Sequence, residues 1–267
     1  MLAYKLIVLD LDGTLLPFDG AISDRTREVI ERTKSAGIVV TLASGRPFLS
    51  LLPYIEELGI SAPVVCNQGG QVVRPRTREV TYNAAIPLPR ARNLLSHLQT
   101  RQIDVLVDTN GSMSVRPAKY SEQFYLDFVG RPFDLVTDLT ARLGAAPAKV
   151  LIMDTQDENE QLLTELQERF GHLVRLLRSH PMLIEAIPLG VNKATALQRV
   201  TEELGIPREL TFAVGDAEND IEMVAWAGLG VAMGNASPSL KAVADYIAPS
   251  AEDDGAAQAI EKFCLNR

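Results

Sequence analysis

The sequence predicts an α/β protein, a Rossmann-like parallel sheet core interrupted by an inserted α+β domain. Three observations predict it. Short β-branched runs alternate with amphipathic helical stretches from Lys5 to Cys66 and again from Gly190 to Phe263, as in parallel strands joined by crossover helices. Between these blocks the strand-like runs are closer together and include a hairpin signal at Asn110-Gly111. Several core runs end in Asp, Ser or Gly, at the strand ends where open α/β sheets bind ligands.

The first run, Lys5 to Leu9 (KLIVL), is too apolar for a half-exposed strand and reads as a central one. Ser23 is placed to cap a helix whose Thr26, Val29, Ile30 and Thr33 share one face, with Gly37 as its stop. Val39 to Ala43 is the second strand, a helix is expected over Phe48 to Leu58, and Val64 to Cys66 is the third strand. After Gly190 a helix carries Leu197, Val200 and Leu204. It is followed by a strand at Thr211 to Val214, a helix from near Asp220, a strand at Leu229 to Ala232 and a last helix over Ala256 to Phe263.

The middle block supplies strands at Glu79–Ala84, Asp104–Val107, Ser112–Val115, Lys149–Met153, Val174–Leu177 and Leu183–Ile187. Helical patterns follow Pro89 and Asp157, the second with Leu162, Leu163, Leu166 and Phe170 on one side. Ala118 to Leu143 fits neither period. The expected organisation is a core of residues 1–83 and 189–267 with an inserted domain at 84–188.

Composition narrows the function. The 267 residues carry 26 Lys+Arg and 34 Asp+Glu, a net charge of −8, with no basic run, which argues against nucleic acid as a partner. No apolar stretch reaches the roughly 18 residues of a membrane helix, and Met1 to Leu9 lacks a signal-peptide layout, so a cytoplasmic protein without membrane contact is expected. Cys66 and Cys264 show no metal or redox spacing and are expected to be reduced.

The first strand ends in Asp10-Leu11-Asp12-Gly13-Thr14. Side chains two apart on an extended chain point the same way, so Asp10 and Asp12 can face one pocket, and Gly13 lets the chain turn away. The second strand ends in Ser44-Gly45-Arg46-Pro47, where a hydroxyl and exposed N–H groups suit a phosphate oxygen. Gly215-Asp216-Ala217-Glu218-Asn219-Asp220 follows a third, its carboxylates and amide fitting a hard cation such as Mg²⁺. Asp220 could also cap the next helix, which is compatible with that role. Lys193 opens a helix, where a cation is mildly disfavoured, so it is expected to be solvent-exposed unless an anion recruits it.

Charge links these pieces. Asp10, Asp12, Asp216 and Asp220 would place four negative charges in one crevice, where each pair about 4 Å apart repels by roughly 4 kcal/mol at an effective dielectric near 20. A divalent cation and a lysine are needed to hold such a cluster around a phosphate dianion.

DLDGT, a hydroxyl-Gly-Arg-Pro, a lone lysine and GDAENDIEM, in that order, resemble the haloacid dehalogenase-like superfamily. An insertion between the second and third motifs resembles the Cof-type phosphatases with a class IIB cap. The resemblance implies Asp10 as the nucleophile that forms an aspartyl-phosphate. It implies Asp12 as acid and base, with its main-chain carbonyl on Mg²⁺. Ser44, Gly45, Lys193 and Asn219 would hold the phosphate, Asp216 would ligate the metal, and Asp220 would support it from behind. An acid at Asp12 favours phosphoryl transfer over dehalogenation. Gln68-Gly69-Gly70 replaces the usual Asn-Gly-Ala, Ser44 replaces the commoner Thr, and Asp254-Gly255-Ala256 stands for Asp-Gly-Val.

The expected activity is hydrolysis of small phosphorylated metabolites, sugar or polyol phosphates, by a monomer or homodimer. The alternatives are a phosphomannomutase-like phosphomutase and a non-catalytic module that binds a phosphorylated ligand. Candidate readers of the leaving group are Asp108, Asn110, Arg178, His180 and Glu185, with Arg116 and Lys119 as attractors of anions.

Overall fold

A computed structural model describes residues 4–17, 20–109, 112–129, 132–154, 156–180 and 182–265, without the side chains of 127–129, 156–159 and 180. The chain forms two compact units, Met1–Tyr82 with Asn192–Arg267, and Asn83–Val191.

The first unit begins with β1 (Leu6–Leu9), fully buried along its length because both of its faces are covered. Its side chains alternate, Ile7 and Leu9 entering one apolar cluster and Leu6 and Val8 another. Helix α1 (Asp24–Ser35) is capped by Ser23, whose Oγ accepts the Thr26 N–H at 3.0 Å, and buries Thr26, Val29, Ile30 and Thr33. Next come β2 (Val39–Leu42), α2 (Phe48–Glu57), β3 (Val64–Cys66), β4 (Gln71–Arg74) and β5 (Glu79–Asn83). Strands β3, β4 and β5 make a small sheet, with β3 antiparallel to β4. A parallel bridge from Ala43 to Val65 ties that sheet to the end of β2.

The second unit contains α3 (Leu88–Leu98), β6 (Asp104–Asp108), β7 (Met113–Arg116), α4 (Glu122–Val129), β8 (Asp134–Leu135), α5 (Leu139–Arg142), β9 (Lys149–Met153), α6 (Gln156–Phe170), β10 (Arg175–His180) and β11 (Leu183–Ile187). Its six strands run in the order β10-β11-β9-β6-β7-β8. Apolar side chains of α3, α5 and α6 pack on one face around Val105, Val107, Val150 and Ile152. On the other, Leu106, Val115 and Leu151 meet Tyr125 of α4. At the start of the segment from Ala118, Tyr120 stacks on Phe124 at 4.3 Å and Asp104 accepts the N–H groups of Ala118, Lys119 and Tyr120. The hairpin signal Asn110-Gly111 lies outside the described residues, but β6 and β7 on either side of it pair antiparallel.

Returning to the first unit, the chain forms α7 (Lys193–Leu204), β12 (Thr211–Gly215), α8 (Ile221–Trp226), β13 (Leu229–Ala232), α9 (Pro238–Lys241), β14 (Tyr246–Ile247) and α10 (Gly255–Ile260). The main sheet is all parallel, ordered β14-β13-β12-β1-β2. From β1 the chain winds outward to β2, and from β12 it winds the opposite way to β13 and β14. The switch point therefore lies between β1 and β12, where such sheets open a crevice at their carboxyl ends. Among the described residues no helix is long and apolar enough to cross a membrane.

Candidate active site

Asp10 directly follows β1 and Asp216 directly follows β12, so both acids stand at the switch point on neighbouring strands. Gly13 turns the first loop with φ +78°, and a Cβ there would sit 2.3 Å from Asp216 Oδ2, so only glycine fits. Thr14 Oγ1 donates to Asp216 Oδ1 at 3.1 Å. Asn235 Nδ2 donates to the Gly13 carbonyl at 2.8 Å, and Asn235 Oδ1 accepts the Ala251 N–H at 3.0 Å.

One oxygen each from Asp10, Asp216 and Asp220 lie within 4.8 Å of one another. Lys193, fully buried, donates from Nζ to Asp10 Oδ1 and to Asp220 Oδ1, both at 2.6 Å. Helix α7 holds that lysine in place through a reciprocal cap, in which Asn192 Oδ1 accepts the Thr195 N–H at 2.8 Å and Thr195 Oγ1 accepts the Asn192 N–H at 3.2 Å.

Burial, then the neighbouring Asp220 carboxylate, holds Asp10 well above the ordinary carboxylate range, with Lys193 opposing. The same two causes push Asp216 up to about 7. Burial favours the neutral amine of Lys193, yet Asp10 and Asp220 outweigh it and raise its pKa. Three carboxylates and one ammonium leave a formal −3 + 1 = −2, which a divalent cation neutralises. An all-oxygen donor set suits Mg²⁺, so the residues present fit that ion. Asp220 is the least available ligand, because its Oδ2 also accepts the N–H groups of Asp216 and Ala217 at 3.1 Å.

That fit has a pH signature. Between the ordinary carboxylate range and about 7 the metal-free native protein holds more protons at Asp10 and Asp216 than the unfolded chain, so this contribution to stability is lost as pH rises. A cation has to displace those protons. The rise in Tm on adding Mg²⁺ is therefore expected to be larger at pH 8 than at pH 6 by thermal denaturation, and a rise equal at both would contradict the cluster as the binding site.

Residues 7–260 match the model of a family described as haloacid dehalogenase-like hydrolase. The chain belongs to that family. It is 31% identical over 264 residues to 5-amino-6-(5-phospho-D-ribitylamino)uracil phosphatase YitU of Bacillus subtilis, covering 97% of each protein. A crystal structure of a haloacid dehalogenase-like hydrolase from Bacteroides thetaiotaomicron superposes with a TM-score of 0.85 at 32% identity, over 97% of this chain and 99% of that one. A HAD subclass IIB sugar phosphatase shares the fold at a TM-score of 0.85 and 24% identity, over 97% of this chain and 98% of its own.

In this haloacid dehalogenase-like hydrolase the expected site residues do not all behave alike. Lys193, which taken singly was expected in solvent, is buried because acids from two distant segments recruit it. Asp220 occupies the N-cap position of α8 without a side-chain bond into that helix; its Oδ2 instead accepts the Asp216 and Ala217 N–H groups, closing the short turn that leads into α8. Asp12 stands outside the three-acid cluster. Gly13 turns the chain as expected, but both Asp12 oxygens pair with Arg46, Nε at 2.9 Å and Nη2 at 2.6 Å. Ser44 is buried and its Oγ accepts the Arg46 N–H at 3.1 Å, which leaves the hydroxyl proton to donate. Asn219 Nδ2 donates to Gln68 Oε1 at 2.9 Å, while its own buried Oδ1 has no partner among the described residues.

In the second unit, Glu185 is buried against Lys149 at 3.0 Å and Asp108 is also buried. Arg116 is engaged with the backbone, its Nη2 donating to the carbonyls of Leu98, Arg101 and Ile103. Lys119 pairs with Asp154. Arg178 lies on β10, whereas Asn110 and the side chain of His180 fall outside the description. Sequence reasoning missed Thr14, Asn235, Arg46 and Gln68 as parts of the site. Thr14 and Arg46 lie within the first two motifs and Gln68 within Gln68-Gly69-Gly70; Asn235 is signalled only by lying just past β13, at the same end of the sheet.

Proposed function

We propose that the protein is a Mg²⁺-dependent phosphomonoesterase for small phosphorylated metabolites, sugar or polyol phosphates, working through an aspartyl-phosphate on Asp10. The convergence of Asp10, Asp216 and Asp220, with Lys193 bonded to Asp10 and Asp220, carries this reading. The named activity of the Bacillus subtilis relative, on a phosphorylated ribityl group, supports the substrate class.

Asp216 and Asp10, with the Asp12 carbonyl, would hold the ion, and Asp220 would orient the set. Bound Mg²⁺ supplies two positive charges that keep the carboxylates ionised and offset the charge of the phosphate. Asp10 attacks phosphorus, the leaving alkoxide takes a proton from Asp12, and the phosphoryl group rests on Asp10 as an acyl phosphate. Water then attacks phosphorus, giving its proton to Asp12, and the Asp10 carboxylate is regenerated. Ser44, the Gly45 N–H, Lys193 and Asn219 hold the phosphoryl oxygens during both steps.

Asp12 has to leave Arg46 before it can serve a leaving oxygen. The pair is bidentate but partly exposed, with side chains 54% and 34% accessible, so parting costs on the order of 1 kcal/mol. The arrangement therefore parks the acid at little cost.

Phosphate release across a panel of sugar and polyol phosphates tests the reading. Turnover is expected with Mg²⁺ and none with EDTA; a panel that binds but never releases phosphate would sink hydrolysis in favour of a binding module.

A further inference from the structure

We infer that Gln68 is a positioning residue of the phosphate site, fixing the Asn219 amide and closing the Gly45 side of the cradle. The inference rests on the phosphatase reading and deepens it.

Asn67, Gln68 and Gly69 adopt φ of +51°, +59° and +93° in succession, between β3 and β4. Left-handed backbone at two consecutive non-glycine residues is uncommon, and such strain persists only where the surroundings impose it. Here they do. The Asn67 N–H donates to the Arg46 carbonyl at 3.0 Å and the Gln68 N–H to the Ser44 carbonyl at 3.2 Å. A Cβ on Gly69 would lie 2.1 Å from the Asn192 carbonyl oxygen, so the same turn abuts the residue that caps the Lys193 helix.

The turn delivers a buried Gln68 side chain, 2% exposed, between two phosphate-holding segments. Its Oε1 accepts Asn219 Nδ2 at 2.9 Å. Its Nε2 occupies the space a Gly45 Cβ would need, at 2.3 Å. One three-residue turn thus braces Ser44–Gly45, Asn192 and Asn219 together. An amide that must meet a phosphate oxygen gains from being held in one rotation beforehand, and Gln68 supplies the bond that holds it.

Inhibition and calorimetric binding by inorganic phosphate test this on the Mg²⁺-loaded full chain, with Gln68→Ala, Asn219→Ala and the double variant. Gln68→Ala is expected to weaken phosphate about 10-fold, the worth of one hydrogen bond, beyond the modest fall in Tm that any loss of a buried hydrogen bond brings. If Gln68 acts through Asn219, the double variant loses no more than Asn219→Ala alone. Losses that multiply, or Gln68→Ala within about twofold of wild type, overturn the role. Should Gln68→Ala fail to fold, Gln68→Glu keeps the side-chain shape and places an anion beside the cradle. It is expected to weaken phosphate about 100-fold, and unchanged binding would overturn the role. A wild-type protein that neither binds nor releases phosphate overturns the phosphatase reading and this inference together. Wild-type turnover with insensitive Gln68 variants overturns this inference alone.

Discussion

Asp10→Asn is expected to lower phosphate release by on the order of 10⁴-fold or more, because it removes the attacking group while leaving the phosphate-holding residues in place. The fold should survive. Asparagine has nearly the same shape, and the change removes one of three crowded negative charges, leaving Lys193 paired with Asp220. Metal-free Tm should therefore hold or rise, and the Mg²⁺-induced rise should shrink, as one ligand charge is lost. That combination separates chemistry from architecture: a residue of purely structural value would lose both together. Wild-type turnover by this variant would show that another group attacks phosphorus.

Lys193→Met has the second large effect, and in the opposite balance. Lys193 is fully buried and is the shared partner of Asp10 and Asp220. Without it, three acids face one another in a desolvated site. Leaving a buried charge unpaired costs about 3–5 kcal/mol, so denaturant unfolding at pH 8 should show a loss of that order. The loss should shrink as pH falls toward 6, because Asp10 and Asp216, already raised by burial and by Asp220, take up protons and relieve the repulsion. Activity should not recover in parallel, since a protonated Asp10 cannot attack. A variant of wild-type stability at pH 8 would contradict the charge accounting of the site.

Much of the fold was legible because it is local. KLIVL can hardly be anything but a central strand, Ser23 caps where a serine before an amphipathic run should, and the acids stand where β1 and β12 end. What stayed hidden depends on partners far away in the chain. The burial of Lys193 follows from Asp10, 183 residues distant, and no local pattern encodes that distance. Strand β4 is not legible in the sequence, because the turn that makes it pair with β3 extends positive φ from Asn67, which tolerates it, to Gln68, which does not advertise it. The start of the stretch from Ala118 lacks a clear period since it is held by the stacked Tyr120 and Phe124 and by Asp104 reaching across to its backbone. Arg46 was read as part of a motif, yet its hold on Asp12 needed three dimensions, the two lying 34 residues apart.

The proposed mechanism requires Asp10 to carry the phosphoryl group. Asp12→Asn keeps the nucleophile but removes the base that activates water, so the covalent species should accumulate when the leaving group departs unprotonated, as with an aryl phosphate. Rapid mixing with such a substrate and Mg²⁺, followed by acid quench and peptide mass spectrometry, is expected to find the mass of one phosphoryl group on the peptide that contains Asp10. A modification on any other residue, or none during a burst of released phenol, would contradict it.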